Sequence, residues 1–326
     1  MKFDFLGIGD TVTDAFIRLR EAKVKGQGSD RELCLRFADK IPYESVNVIP
    51  GVGNSPNATV AAARLGLKSA LLTNIGDDAE GKQCLKKFST EGVSTRFIKS
   101  HRGKKTNYHY VLWYEDDRTI LIKHYLYDYT LSRIDSPRWI YLSSLSENSL
   151  PFHDTLAEYL VAHPEIKLAF QPGTFQIKFG QERLKKIYQR SEIFFCNKEE
   201  AERILDLPQT DIKILLKAIN ALGPKIVVIT DGPAGAYALH EGQVWKMRSY
   251  PDPKPPYERT GAGDAFSATV TVALALGLSF EEALRWGPIN SMAVVQEVGA
   301  QAGLLSREKL EDYLRQAPPD YHPQKI

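Results

Sequence analysis

Gly261-Ala262-Gly263-Asp264 stands directly before a long apolar run, Ala265 to Leu278, that reads as a buried helix. Small residues at a helix opening leave backbone N–H groups uncovered, and those groups together with the helix dipole attract an anion. A carboxylate beside a bound anion is repelled by it. The placement makes sense if Asp264 takes a proton from a hydroxyl that attacks the anion, which is the outline of a phosphotransferase. Taken alone, the same residues also describe a glycine-rich entry to a core helix.

Other segments have small or polar residues where a ligand could sit. Gly51 to Asn57 leads into an alanine-rich helix, Ala58 to Leu65. Asn54 or Ser55 can cap that helix and Pro56 suits its first turn. Asn54 and Asn57 are uncharged donor–acceptor groups suited to hydroxyls. Pro56 holds the last glycine position of a dinucleotide fingerprint, and no GxxxxGK[ST] occurs, so neither nucleotide motif is present. Asn197-Lys198-Glu199-Glu200 follows the strand Ile193 to Cys196 and has the spacing of a capping box. Thr230 to Gly235 ends another strand, where ligands of α/β sheets gather. Asp10 and Asp14 follow the first strand; one could bind a hydroxyl pair, and either could be a turn or cap residue.

The elements that must position these residues alternate. Strand-like runs lie at Phe3 to Ile8, Ala70 to Thr73, Trp139 to Leu142, Lys167 to Phe170, Glu192 to Cys196 and Lys225 to Thr230. Helices are expected at 79–91 and near 152–162, 180–190, 197–206 and 210–222. Alternation of this kind predicts an α/β fold, a mostly parallel central sheet with helices on both faces. Gly235 to His240 and Gln243 to Met247 straddle Glu241-Gly242 as a hairpin. Two segments break the rhythm: about 15–50, with short mixed strands, and about 98–130. Within the latter, two aromatic strands in 106–127 flank the acidic turn Glu115 to Arg118. Together these segments predict a small β-sheet lid on a single domain of residues 1–317, with 318–326 as a frayed tail.

Composition bounds the rest. The chain has 326 residues, 43% hydrophobic and 25% charged, ample for a sizeable core. A net charge of +2 is too balanced for a nucleic-acid footprint. No apolar run reaches the ~20 residues of a membrane span, and the N-terminus lacks a signal core, so a cytoplasmic location is expected. Cys34, Cys84 and Cys196 are too scattered for a zinc site or a disulfide framework.

In order and spacing these segments resemble the ribokinase-like carbohydrate kinases, the PfkB family, from the first strand to about Leu314. Gly53 to Gly66 is similar to the family's sugar-binding signature, Asn197 and Glu200 to its NxxE motif, and Thr230, Gly232 and Gly235 to its phosphate-contact turn. Gly261 to Asp264 is similar to its C-terminal signature, and Gly299-Ala300-Gln301 to a segment near the nucleotide and a monovalent-cation site. The resemblance implies ATP-dependent phosphorylation of a hydroxymethyl group on a small sugar. Asp264 would be the base, and the amides of Gly261, Ala262 and Gly263 the anion hole. Asp14, Gly53, Asn54 and Asn57 would grip the sugar. Asn197 and Glu200 would hold Mg²⁺, and Asn197, Thr230, Gly232, Gly235 and Asn290 would face the nucleotide. A homodimer through the lid is implied.

Glu258-Arg259-Thr260 stands where the family usually has Asp-Thr-Thr, a region often used by activating K⁺; Arg259 is a candidate fixed charge in its place. The acceptor-side residue after Leu142 falls among Ser144, Ser146 and Glu147. A nucleoside kinase, with Phe16, Tyr108, Tyr110, Trp113 and Tyr114 stacking a base, is the alternative acceptor class. A sugar or nucleotide sensor without catalysis is the alternative of another kind.

Overall fold

The computed structural model describes residues 2–26, 31–115 and 117–326. Residues 27–30 of the first lid segment and Asp116 of the acidic turn lie outside them. Among the described residues the main sheet has ten strands. From one edge they run Ser94–His101, Ser69–Gly76, Phe5–Ile8, Trp139–Leu142, Lys167–Phe170, Ser191–Asn197 and Ile226–Thr230, all paired parallel. The hairpin Ala236–His240 and Gln243–Met247 then adds antiparallel strands, and Gln324–Lys325 closes the edge.

The parallel strands are continuous apolar runs because both faces are covered, and side chains alternate between two cores. Phe5, Tyr141, Ile193 and Val228 pack against the helices Asn54–Arg64, Ala79–Thr90, Ala262–Ala275 and Phe280–Val294. Leu6, Ile140, Phe194 and Val227 pack against Leu150–Ala162, Lys185–Arg190, Lys198–Leu205 and Ile212–Ala221.

A second sheet of four strands has the order Tyr43–Val52, Val12–Leu19, Asn107–Tyr114, Asp117–Leu121. The chain passes from the buried strand Phe5–Ile8 through Gly9-Asp10-Thr11 into Val12–Leu19, so the small sheet grows out of the carboxyl end of the main one. This is the expected lid sheet, with shifted limits. Residues 98–101 belong to the edge of the main sheet, and the second hairpin strand stops at Leu121 rather than running to Tyr127.

Other differences have local causes. The helix expected near 180–190 is shortened to Lys185–Arg190, and a further short helix, Thr174–Phe179, precedes it and ends at Gly180 with φ 82°. The helix Phe280–Val294 has no separate signature in the sequence, because it carries Pro288 and follows closely on another apolar helix. The tail is not frayed. Tyr321 is fully buried, its hydroxyl donates to the Arg285 carbonyl at 2.9 Å, and its ring meets Tyr250 edge-on. Removing so large a buried ring leaves a cavity. Tyr321→Ala is expected to cost about 3–5 kcal/mol of unfolding free energy by denaturant titration; an unchanged midpoint would show the tail to be loosely held.

Candidate active site

The polar residues expected to do chemistry converge at the carboxyl ends of the parallel strands, where the lid strands arise. Asp264 is the third residue of the helix Ala262–Ala275, and Gly261 precedes it with φ 83°. A Cβ on Gly261 would sit 2.2 Å from that of Ala300, so only glycine fits both the left-handed backbone and the close approach. N–H groups in the first turn of this helix have no helical carbonyl to bond, which leaves the positive end of the dipole at Asp264.

The Asp264 carboxylate is 9% exposed and accepts three side-chain amides. Asn54 Nδ2 and Gln171 Nε2 donate to Oδ1 at 2.8 and 3.2 Å, and Asn57 Nδ2 donates to Oδ2 at 2.8 Å. Their orientations are forced. Gln171 Oε1 accepts from Tyr141 and Ser267, so its nitrogen must face Asp264. Asn57 Oδ1 accepts from Gln301 Nε2 at 3.0 Å, so its nitrogen does the same. Oδ2 keeps a lone pair for an incoming hydroxyl.

Burial raises the Asp264 carboxyl above its usual range; the hydrogen bonds from Asn57, Asn54 and Gln171 oppose the rise, and the charge of Asp14 adds to it. Since the folded carboxyl binds its proton more tightly than an unfolded one, this group favours folding below the ordinary carboxylate range, and that contribution is lost as pH rises through the raised value.

Asn197 and Thr230 are register partners on adjacent strands. Asn197 Oδ1 accepts from the Glu200 N–H at 2.8 Å, and Glu200 Oε2 accepts from the Asn197 N–H at 2.9 Å, the capping box its spacing predicts. Burial raises the Glu200 carboxyl; the Asn197 N–H and Arg203 lower it, and Asp264 is near enough to raise it further. Gly232 and Gly235 have φ of 48° and 95° in the turn after Thr230. Asp10 and Asp14 are both buried at the root of the lid.

Several expectations need correction. Gly53, not Asn54 or Ser55, occupies the cap position of the helix Asn54–Arg64; Asn54 turns to Asp264, and Ser55 Oγ donates to the Ile8 carbonyl. Asn57, expected to grip sugar, has both ends of its amide engaged by protein. Asn290, expected at the nucleotide, donates to Thr269 Oγ1 and accepts from the Leu305 N–H, and it is fully buried, so it offers no surface to a ligand. Among the acceptor-side candidates, Glu147 is exposed and Ser146 Oγ donates to Asn148. Gln171, one strand farther on, reaches Asp264 instead. Its only sequence signal is a polar residue after the apolar strand Lys167–Phe170 and before Pro172-Gly173. Phe16 and Trp113 are buried.

If the ionised Asp264 is the base, turnover rises with pH through its raised ionisation. Gln171→Leu removes a donor that favours the charged form, and its acid limb is expected to move up by about one pH unit. An acid limb identical to that of the parent protein would show that the amides do not hold the base.

A sequence model of the pfkB family carbohydrate kinases matches residues 9–307. Ribokinase of Bacillus subtilis (strain 168) is 27% identical over 277 residues, covering 83% of this chain and 89% of that one. The structure of Arabidopsis thaliana ribokinase complexed with ribose and ATP is similar with a TM-score of 0.79 at 18% identity, over 97% of this chain and 99% of the other. The nucleoside kinase of Methanocaldococcus jannaschii gives 0.76 at 19% identity, over 97% and 99%. The family match takes in the lid root, the amide-held carboxylate and the glycine-opened helix alike, and by it the chain belongs to the pfkB family of carbohydrate kinases, enzymes that transfer a phosphoryl group to an alcohol.

Proposed function

We propose that this chain transfers the γ-phosphoryl group of ATP to a hydroxymethyl group of a small sugar. The observation that carries the reading is the Asp264 carboxylate, buried at a glycine-opened helix N-terminus and held by three amides with one lone pair free. Asp264 Oδ2 takes the proton of the acceptor hydroxyl as that oxygen bonds to phosphorus and the bond to the ADP oxygen breaks. The amides of Gly261, Ala262 and Gly263 face the charge on the transferring group, where preorganised donors need no reorientation. Asp14, Gly53 and Asn54 border the sugar. Thr230, Gly232 and Gly235, beside Asn197, line the side from which the nucleotide phosphates arrive.

Glu200 keeps one carboxylate oxygen outside the capping box, which suits an ion held by one carboxylate, water and phosphate oxygens, as Mg²⁺ commonly is. Bound there, Mg²⁺ supplies charge neutralisation for the phosphates. Glu258 is buried and accepts from Thr260 N–H, Thr260 Oγ1 and Gly299 N–H; Arg118 of the lid lies 3.8 Å away. These contacts support a fixed guanidinium, that of Arg118 rather than of Arg259 alone, in place of activating K⁺ beside the anion-hole loop.

A nucleoside acceptor is the second reading, favoured by the likeness to the M. jannaschii nucleoside kinase. The burial of Phe16 and Trp113 weighs against base stacking by those rings. ADP release from ATP and Mg²⁺ against sugars, sugar phosphates and nucleosides separates the classes. Turnover is expected on an unphosphorylated sugar, with Asp264→Asn lower by ~10²–10⁴, and at equal rates in potassium and in tetramethylammonium. Turnover on nucleosides alone sinks the sugar reading, an undiminished Asp264→Asn sinks the base, and potassium dependence sinks the fixed charge.

A homodimer through the lid is the companion proposal. Val48, Ala15, Tyr110 and Leu121 align across the four strands, and Val48, Tyr110 and Leu121 stand about half exposed with Val46 and Tyr43. A second copy burying this apolar face is expected in solution. Sedimentation should give a dimer, and Val48→Glu with Tyr110→Glu a monomer; a monomeric parent protein at tens of micromolar overturns this.

A further inference from the structure

One cross-strand row of the lid sheet meets the stretch of chain that leads into Gly261. Arg18 pairs in register with Trp113, and Trp113 with Arg118, so the three side chains share a face. The Arg18 guanidinium lies 4.5 Å from the centre of the Trp113 ring and 5.7 Å from that of Tyr257. Its Nη1 donates to the Tyr257 hydroxyl at 2.7 Å, and the rings of Trp113 and Tyr257 meet edge-on at 5.0 Å. The lid residues are held from behind. Arg18 Nε lies 3.2 Å from Glu44 Oε2 on the neighbouring strand, and Trp113 is buried with its Nε1 donating to the Glu115 carbonyl at 3.1 Å.

The stretch they grip needs holding. Residues 251–259 form neither helix nor strand, and two residues later the chain must place Gly261 and the amides that follow it. The main domain holds this stretch through Gln296 Nε2, which donates to the Lys254 carbonyl at 3.2 Å, and through the Val295 carbonyl, which accepts from Tyr257 N–H and Glu258 N–H at 2.7 and 3.2 Å. Glu258 in turn ties Thr260 to Gly299. Gly299 also lies under the lid, since a Cβ there would meet Ile49 Cδ1 at 2.4 Å. Both ends of the Glu258 bridge therefore rest against lid strands, one through Tyr257 and one through Ile49. Donors aimed at a developing charge act only while they stay in place, and a misplacement of about 1 Å costs up to ~10² in rate.

We infer that Arg18 and Tyr257 are positioning residues for the anion hole: the lid strand holds Tyr257, and Tyr257 holds the loop that aims the Gly261, Ala262 and Gly263 amides at the transferring phosphoryl group. A guanidinium suits the post because it stacks on aromatic faces and donates to a hydroxyl at the same time. Trp113, whose buried ring is closed to a nucleoside base, is the platform under Arg18. The lid and the hole then behave as one unit. Contacts that serve only the transferring group enter kcat rather than the binding of either substrate, so the loss of Arg18 or of the Tyr257 hydroxyl falls on kcat.

The inference rests on the proposed phosphoryl transfer through that hole, and its tests tell the two apart. Tyr257→Phe removes one oxygen and keeps the ring, while Arg18→Ala removes the bridge. Each is expected to lower kcat roughly tenfold with both KM values within about twofold, and the double variant to be no slower than Arg18→Ala, because one contact cannot be lost twice. Arg18→Lys, which keeps a charged donor for the hydroxyl, should recover part of the loss. A second readout needs no acceptor. Affinity for ADP and Mg²⁺ with aluminium fluoride, a mimic of the transferring group, should fall about tenfold in Tyr257→Phe, while affinity for ADP and Mg²⁺ alone stays the same. A contact that serves folding alone would leave that ratio unmoved. Unchanged kcat and fluoroaluminate affinity in both single variants, or independent losses that multiply in the double, overturn the inference and leave the kinase reading standing. A parent protein whose ADP affinity gains nothing from aluminium fluoride removes the hole, and the inference with it.

Discussion

A carboxylate must stay ionised in a buried pocket beside other carboxylates, and much of this structure answers that constraint. Asp264 has Asp14 and Glu200 near enough to disturb it, and burial alone drives it toward its neutral form. Three amides and the positive end of a helix oppose that drift. Each amide is pinned from behind: Gln171 by Tyr141 and Ser267, Asn57 by Gln301, and Asn54 by its place in the first turn of its helix. Those supports come from helices and strands on one face of the sheet and from the loop at Gly299-Ala300-Gln301. The Asp264 carboxylate is thus set by packing across the whole domain rather than by its own helix.

The parallel sheet makes this possible because its strands end together. Residues at or just beyond the ends of apolar strands, Asp10, Gln171, Asn197 and Thr230, need no special local structure to meet; the register of the sheet carries them to one edge. The lid begins at the same edge, since one strand of the core runs on into it after three residues. One inward row of the lid sheet carries Asp14 and His109, and its next outward row carries Val48, Ala15 and Tyr110. A single alternation therefore divides the small sheet into a polar row at the root of the lid and a half-exposed apolar row.

Some of this was legible in the chain. Asp264 is read from local chemistry, because small residues before an apolar helix mean the same thing in any surroundings. The capping box at Asn197 and Glu200, the hairpin after Thr230 and the aromatic lid strands are short-range patterns that the structure reproduces. Gln171 and the pairing of His109 with His124 were not legible, since a lone polar residue after a strand, or two histidines fifteen apart, acquires a partner only from what the fold brings against it. Asn57 and Asn290 misled for the complementary reason: an amide offers the same donors and acceptor to a sugar, a nucleotide or the protein.

The sequence by itself determined the alternation of strands and helices, the two covered faces of the sheet and the glycine-opened helix carrying an aspartate, all of which follow from periodicity and backbone sterics over a few residues. Only the tertiary structure decided which amides hold that aspartate, that Tyr321 anchors the tail, and that His124 stands between Asp10 and His109. Hydrogen bonds are short-ranged and directional, so a donor's partner depends on positions that no local pattern specifies.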